Sequence, residues 1–144
     1  MTQFISSIDM LSLGLLILRI GVGAIFFAHG AQKVFGWFGG YGLAGTSGFL
    51  KQAYGIPIIL SYFASFIELL GGLAMILGLF TQITAIGLGI VMLVALVKVH
   101  LSVGFFMNWG SVANRGEGYE FNVALLAMII ALALIGPGQY ALGG

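Results

Sequence analysis

The chain has 144 residues, of which 60% are hydrophobic and only 6% are charged, and its formal net charge is +1. Soluble domains carry about 25% charged residues, so this chain cannot cover a water-facing surface and is predicted to be an integral membrane protein. The small net charge and the lack of basic clusters exclude a nucleic-acid partner. The absence of cysteine excludes disulfides, CxxC redox chemistry, covalent haem attachment and thiolate metal sites.

Four apolar stretches are each close to the roughly 20 residues that a helix needs to cross a bilayer. They cover residues 11–30, 57–79, 83–100 and 119–135. Pro57 suits a first helical turn, and residues 80–82 predict a tight turn that makes the second and third stretches an antiparallel hairpin. We therefore predict an all-α fold, with residues 1–144 forming one domain built as an antiparallel bundle of four transmembrane helices in a lipid bilayer.

The segments outside the four spans carry further predictions. Residues 1–10 contain no Lys or Arg, Arg19 interrupts the apolar run, and no small-residue cleavage site follows it, so we expect a retained first span and not a secretory leader. Residues 36–42 are rich in glycine and aromatics, which predicts a loop that folds back on the bundle. Thr46 is expected to cap a short interfacial helix that continues to Tyr54.

The polar residues are distributed unevenly between the two membrane faces. With four spans, the connections 33–56 and 101–118 share one face, here called side B, and both termini and the 80–82 turn share the other, side A. The positive-inside rule places side B in the cytoplasm and the termini outside. The residues predicted at side B are His29, Lys33, Trp37, Lys51, Lys98, His100, Trp109, Arg115, Glu117 and Glu120.

Two charged residues lie within the spans themselves. A guanidinium at the depth of Arg19 costs about 3 kcal/mol or more unless it faces protein or water. Arg19 lies eleven positions before Gly30, and Glu68 lies eleven positions after Pro57, so both are expected about 16 Å below side B. We therefore predict a buried Arg19–Glu68 ion pair. The pair either only orients the helices or forms the floor of a ligand cavity that opens to side B.

Small residues accompany both charges on their helices. Arg19, Gly23, Phe26, Gly30 and Lys33 fall on one helical stripe, which leaves room beside the guanidinium. Glu68 lies on a second stripe of small and polar residues that includes the pair at 71–72, and such a face favours close helix packing or a homodimer. The members of the second stripe are Ser61, Ala64, Ser65, Glu68, Gly71, Gly72 and Met75.

Further candidates for a ligand site surround the side-B mouth. His29 and Lys33 share a helix face, and Lys98 and His100 end the third span. The alternatives are lysines that extend to the headgroups and histidines that are hydrogen-bonded in packing. Two histidines on separate helices could ligate a haem, but we disfavour haem, and we predict no metal site because too few ligands are present.

Three candidates lie at the ends of the side-B connections. Glu120 begins the fourth span, where a carboxylate also suits the helix dipole. Trp37 and Trp109 fit an aromatic belt at the interface or a stacking surface for a planar ligand. No nucleophile–base arrangement, phosphate loop or nucleotide fingerprint is present, so the sequence assigns no catalytic residue.

Several motifs, taken in order and with their spacing, resemble the DoxX family of small bacterial membrane proteins. The resemblance covers residues 11–140 and implies four transmembrane helices, a bacterial inner-membrane location and a link to redox biology, since the family is similar to the small subunit of a thiosulfate:quinone oxidoreductase. The motifs are LRI at 18–20, HGAQK at 29–33, FGWFGG at 35–40, ELLGG at 68–72, VH at 99–100, GFF at 104–106, GYEF at 118–121 and GPGQY at 136–140.

Three functions stay open at this level. The first is a membrane subunit of a redox system that binds a quinone-like or other small amphipathic molecule between polar groups and aromatics. The second is a transporter or lipid-handling protein that moves an anionic solute, although no inverted repeat is visible. The third is a scaffold that recruits a peripheral oxidoreductase at side B.

Overall fold

The computed structural model describes residues 8–144 and contains five helices with no strand in that part of the chain. The helices are α1 (Met10–Phe35), α2 (Gly42–Tyr54), α3 (Ile58–Leu77), α4 (Thr81–Ala95) and α5 (Glu120–Ile135). A five-residue π-helical turn, Leu96–His100, continues α4. The expectation of a retained first span was argued largely from residues 1–10, and most of these lie outside the described range.

Three of these helices are long and apolar enough to cross a membrane: Met10–Phe35, Ile58–Leu77 and the continuous Thr81–His100. The fourth predicted span is the shorter apolar helix Glu120–Ile135. The all-helical prediction is confirmed, and the first span is longer than predicted because α1 continues past residue 30 to Phe35. The hairpin turn lies at residues 78–80, two residues earlier than predicted.

The ends of α1 show why the helix begins and stops where it does. The carboxylate of Asp9 accepts a hydrogen bond from the backbone N–H of Leu11, which caps the first turn. The hydroxyl of Ser12 donates to the same carboxylate at 2.5 Å and holds the pKa of Asp9 below its ordinary value. At the other end, Gly36 has φ +74° and its N–H donates to main-chain carbonyls of the last turn, an ending that favours glycine.

The helix α2 confirms that the predicted segment is helical but not its predicted start. It begins at Gly42, four residues before Thr46, and its first turn has no side-chain cap. Thr46 is instead buried inside the helix, so its prediction as a cap is wrong. The loop before α2 folds back as expected, because the Gln32 side-chain amide donates to the Phe38 carbonyl at 3.2 Å.

The closest helix contact is between α1 and α3, which run antiparallel. A Cβ placed on Gly23 would lie 2.6 Å from the Gly72 carbonyl oxygen, and one placed on Gly30 would overlap the backbone of Leu69. The absence of side chains at these positions lets the two backbones touch. The predicted stripes are confirmed, since Arg19, Gly23 and Gly30 are buried on α1 and Glu68 and Gly72 are buried on α3.

The other helices complete the core around this pair. The α3–α4 hairpin and the α4–α5 pair are also antiparallel: Gly71 of α3 faces Leu88 of α4, and Gln82 of α4 donates to the Ala133 carbonyl of α5 at 2.8 Å. Apolar residues from α1, α3, α4 and α5 form the buried core, namely Leu15, Val22, Phe26, Met75, Ala85, Leu88, Leu125, Ile129 and Leu132.

The glycine contact between α1 and α3 generates a first testable prediction. Gly30→Ala forces the two backbones apart, and overpacking of this kind costs about 1–3 kcal/mol or more. We expect a lower thermal unfolding midpoint in detergent, measured by circular dichroism. Gly21→Ala on the same helix is the matched control, because a Cβ at Gly21 meets nothing within 4 Å. Equal midpoints for the two variants would show that the backbones do not touch at Gly30.

Candidate functional site

The structure corrects the predicted Arg19–Glu68 ion pair. Arg19 is fully buried, and its guanidinium donates to the main-chain carbonyls of Ile76, at 3.4 Å, and Tyr140. Glu68 pairs with Lys33, whose Nζ lies 2.7 Å from each carboxylate oxygen. Within residues 8–144, the Lys33–Glu68 pair is the one salt bridge.

The register of α1 against α3 explains the error. The predicted depths placed Gly30 level with Pro57, but Gly30 lies level with Glu68, eleven positions farther along α3. Arg19 lies level with the end of α3 at Gly78. The continuation of α1 to Phe35 accounts for five of these eleven positions. Eleven positions separate Arg19 from Gly30, which is about 16 Å along the helix. The two charges are therefore too far apart to meet.

Arg19 is compensated by backbone groups at side A. The last carbonyls of α3 have no partner within the helix and form the negative end of its dipole, and the guanidinium lies against this end. The C-terminal segment 136–144 closes over it, with the N–H groups of Leu142 and Gly143 donating to the carbonyls of Leu77 and Gly78 at 3.0 and 3.1 Å. Arg19 therefore joins α1, α3 and the C-terminal segment and lies away from side B.

At side B, a cavity of about 630 Å³ brings together five of the nine predicted site residues. His29 and Lys33 come from α1, Glu68 from α3, and Lys98 and His100 from the π-helical turn after α4. π-helical turns are frequent at functional sites. The remainder of the lining is mainly apolar and comes from α3 and α4, with Leu60, Phe63, Ala64, Ile67, Ile90, Val91 and Val94 as its main members.

The Lys33–Glu68 pair forms part of the wall of this cavity. The Glu68 side chain is 5% exposed and that of Lys33 is 28% exposed, so the carboxylate is desolvated and depends on the lysine for compensation. Lys33 also borders a second, smaller cavity of about 310 Å³ beneath residues 39–50. The pair therefore lies between the larger cavity and the folded side-B connection.

His100 is fixed by the other side-B connection. Its Nδ1 lies 2.9 Å from the carbonyl oxygen of Glu117. A carbonyl can only accept a hydrogen bond, so Nδ1 carries the proton, and in the neutral ring Nε2 is left as an acceptor. The ring borders the cavity and can serve a ligand hydroxyl there.

Four predicted site residues do not line either cavity. Arg19 lies at side A, and Trp37 packs against Phe35 with ring centroids 4.8 Å apart. Trp109 and Glu120 contact each other, since the indole N–H donates to the Glu120 carboxylate at 3.2 Å. These two residues join the connection 101–118 to the start of α5.

Sequence reasoning missed Ser61 and the apolar wall as parts of the site. Ser61 lies eighteen residues before Leu79 and Lys98 lies eighteen residues after Phe80, so the two lie level on the hairpin. Counting outward from the turn could have found this pairing. Among the described residues, no group of three or more His, Asp or Glu side chains converges as a metal site would require.

The comparisons with known proteins give one family. The model of the DoxX family matches residues 14–101. A relative from Bacillus subtilis (strain 168), named "Putative oxidoreductase CatD", is 33% identical over 130 residues, which cover 90% of this chain and 84% of that protein. No solved structure matches the chain.

The buried position of Arg19 generates a second prediction. Arg19→Met removes the donor to the Tyr140 carbonyl, and hydrogen bonds to charged groups contribute about 1.5–3 kcal/mol each. We expect the amides of Leu142 and Gly143 to exchange faster in hydrogen–deuterium exchange read by mass spectrometry. Ile17→Met, at a position that is 63% exposed on the same helix, is the control. Unchanged exchange in Arg19→Met would contradict the proposed anchoring of the C-terminal segment.

The Lys33–Glu68 pair generates a third prediction, which concerns an asymmetry. Lys33→Met leaves a buried carboxylate without its partner, and breaking a buried pair costs about 3–5 kcal/mol. Glu68→Gln leaves a lysine that can extend to the interface, so we expect a smaller loss. The free energy of unfolding in mixed detergent–SDS micelles measures both losses.

The double variant Lys33→Met/Glu68→Gln completes the thermodynamic cycle. We expect its loss to be smaller than the sum of the two single losses, because no unpaired charge remains. Equal losses in the single variants, adding up in the double variant, would show that the two side chains do not interact.

Proposed function

Since this chain belongs to the DoxX family, we propose that it is an integral membrane component of a redox system. In this proposal, the cavity between α1, α3 and α4 binds a quinone-like or other small amphipathic molecule. We assign no catalytic role to any residue of this chain. The electrons come from a bound molecule or a partner, because the chain has no cysteine for thiol exchange.

One observation carries the proposal: a single cavity combines a mainly apolar lining with a few polar and charged side chains. At about 630 Å³, the cavity lies within the 300–1,000 Å³ typical of small-molecule sites. Lys33, Lys98 and His100 offer donors or acceptors in this lining, and these would meet the polar atoms of a head group. The apolar wall from α3 and α4 would cover the remainder of the molecule.

The redox assignment is supported by the relative's name and by the site's chemistry. The Bacillus subtilis protein is named as an oxidoreductase. A quinone presents carbonyl oxygens that accept hydrogen bonds, and its reduced form presents hydroxyls that donate them. Lysine ammonium groups donate hydrogen bonds, and the free Nε2 of His100 accepts them. These side chains could therefore bond both the oxidised and the reduced form of a quinone.

The membrane arrangement is part of the same proposal. We propose four transmembrane helices, with α5 as the fourth, because its 16 residues span about 24 Å and the apolar residues at its ends can extend that length. The antiparallel pairs α1–α3, α3–α4 and α4–α5 support a four-helix bundle. We propose a multi-pass protein of the bacterial inner membrane with side B in the cytoplasm, in keeping with Lys33, Lys51, Lys98 and Arg115 at that side.

Two partners also belong to the proposal. A homodimer would need a face other than Gly23, Gly30 and Gly72, because these glycines are used between α1 and α3; Gly14 and Gly21 leave open space on α1. A peripheral redox enzyme could dock on the connection 101–118, where the Asn108 side chain bonds the backbone of Val112 and Arg115 and orders an exposed loop.

The proposed ligand site generates a fourth prediction. Ala64→Leu adds side-chain volume to the cavity wall. It should weaken the binding of a short-chain benzoquinone at least tenfold, because the leucine side chain occupies space in the cavity that the ligand needs. Isothermal titration calorimetry of the purified protein in detergent measures the dissociation constant.

Ala24→Leu is the matched control, since Ala24 is exposed on α1 and does not line the cavity. Its dissociation constant should equal that of the natural chain. No detectable benzoquinone binding to the natural chain, or equal affinities in both leucine variants, would contradict a quinone-type ligand in this cavity.

A further inference from the structure

We propose that the natural occupant of the side-B cavity is a single-chain amphiphile with one anionic head, and that it enters sideways from the lipid between α3 and α4. This inference rests on the proposed amphiphile-binding function and selects an anionic alkyl amphiphile over a quinone as the natural ligand. The head is a carboxylate or a phosphate monoester, and the body is an apolar chain.

The first argument is the charge of the cavity lining. Lys33 and Glu68 neutralise each other at 2.7 Å, which leaves Lys98 as the remaining charged residue of the lining. Within residues 8–144, no side chain forms a hydrogen bond or salt bridge with Lys98. The cavity lining therefore has surplus positive charge at Lys98, which favours an anion over a neutral or cationic head.

The second argument is a buried hydroxyl without a partner on the α3 wall of the cavity. Ser61 is 1% exposed and borders the cavity, and its Oγ has no hydrogen-bond partner in the described chain. Buried polar groups are almost always hydrogen-bonded. A head-group oxygen would supply the missing partner once the Ser61 side chain rotates toward the cavity.

The third argument is that the hairpin opens toward the lipid. Near the turn, α3 and α4 touch: a Cβ placed on Gly71 would lie 3.1 Å from Leu88. Farther toward side B, side chains of both helices line the cavity. Among them, Phe63 of α3 and Ile90 of α4 are 61% and 60% exposed. An amphiphile could thus enter without leaving the bilayer.

The dimensions of the cavity fit one chain. Its apolar part extends from the level of Lys98 to that of Ile90, eight positions along the helix, or about 12 Å. Most side chains along both walls of this part are apolar, and they include Ala64 and Val91. A single alkyl chain would fit this length, with its head at the side-B end and its tail directed to the bilayer centre.

Native mass spectrometry of the purified full chain in a non-ionic detergent provides the test, because it counts bound molecules. The probes are dodecanoic acid, dodecyl phosphate and the matched neutral dodecanol. We expect one acid or phosphate molecule per chain and at least tenfold weaker binding of the alcohol. Lys98→Met should weaken anion binding about ten- to hundredfold, and Lys98→Arg should restore most of it.

The controls separate this inference from the function on which it rests. Lys51→Met removes an exposed lysine of α2 that does not line the cavity and should leave anion binding unchanged. If acid, phosphate and alcohol bind equally and Lys98→Met changes nothing, the anionic-head inference is overturned while an amphiphile site survives. If no probe binds and Ala64→Leu has no effect on benzoquinone, both proposals are overturned.

Discussion

The contact between the backbones of α1 and α3 is the constraint on which the rest of this structure depends. Gly23 and Gly30 meet Gly72 and Leu69 without intervening side chains, so the two helices can neither slide nor rotate without a clash. Between helices in lipid, such close packing replaces the hydrophobic driving force that water supplies to soluble cores. The contact fixes which residues of α1 lie level with which residues of α3, and hence the partner of each buried charge.

The two buried charges are satisfied in different ways because of this register. Arg19 lies against the end of α3, where free carbonyls and the helix dipole accept a cation, and Tyr140 of the C-terminal segment adds another carbonyl. Glu68 lies a few turns away and takes Lys33 as its partner. The guanidinium is thus a structural device at side A, whereas the ion pair borders the cavity at side B.

Much of the fold could be predicted from the sequence, because hydrophobic length and helical periodicity are local signals. The spans, the buried stripe through Arg19 and Gly30, and the polar character of side B follow from those signals. The partner of Arg19 could not be predicted in the same way. It depends on the relative depth of two helices: the prediction placed Gly30 level with Pro57, whereas Gly30 lies level with Glu68, eleven residues or about 16 Å farther along α3. The Tyr140 carbonyl that accepts from Arg19 belongs to the main chain, so no side chain in the sequence indicates its role.

The cavity follows from the same geometry and from the α3–α4 hairpin. Small residues hold α3 and α4 together near their turn and against α1, whereas larger residues and the π-helical turn Leu96–His100 contribute to the cavity lining toward side B. The resulting space is mainly apolar, with Lys98, His100 and Ser61 among its polar lining residues. For a chain with few charged residues, this concentration of polar groups is the feature that most clearly favours a ligand.

The most direct measurement of the central claim is a dipolar-recoupling solid-state NMR experiment on the protein in lipid bilayers, with lysine Nζ labelled as ¹⁵N and glutamate Cδ as ¹³C. The register described here predicts strong dephasing of one glutamate carboxylate by a lysine, and its loss in Lys33→Met. The matching experiment with labelled arginine guanidinium nitrogens should show no such dephasing of Glu68. Strong arginine–glutamate dephasing that disappears in Arg19→Met, with none from lysine, would contradict the account.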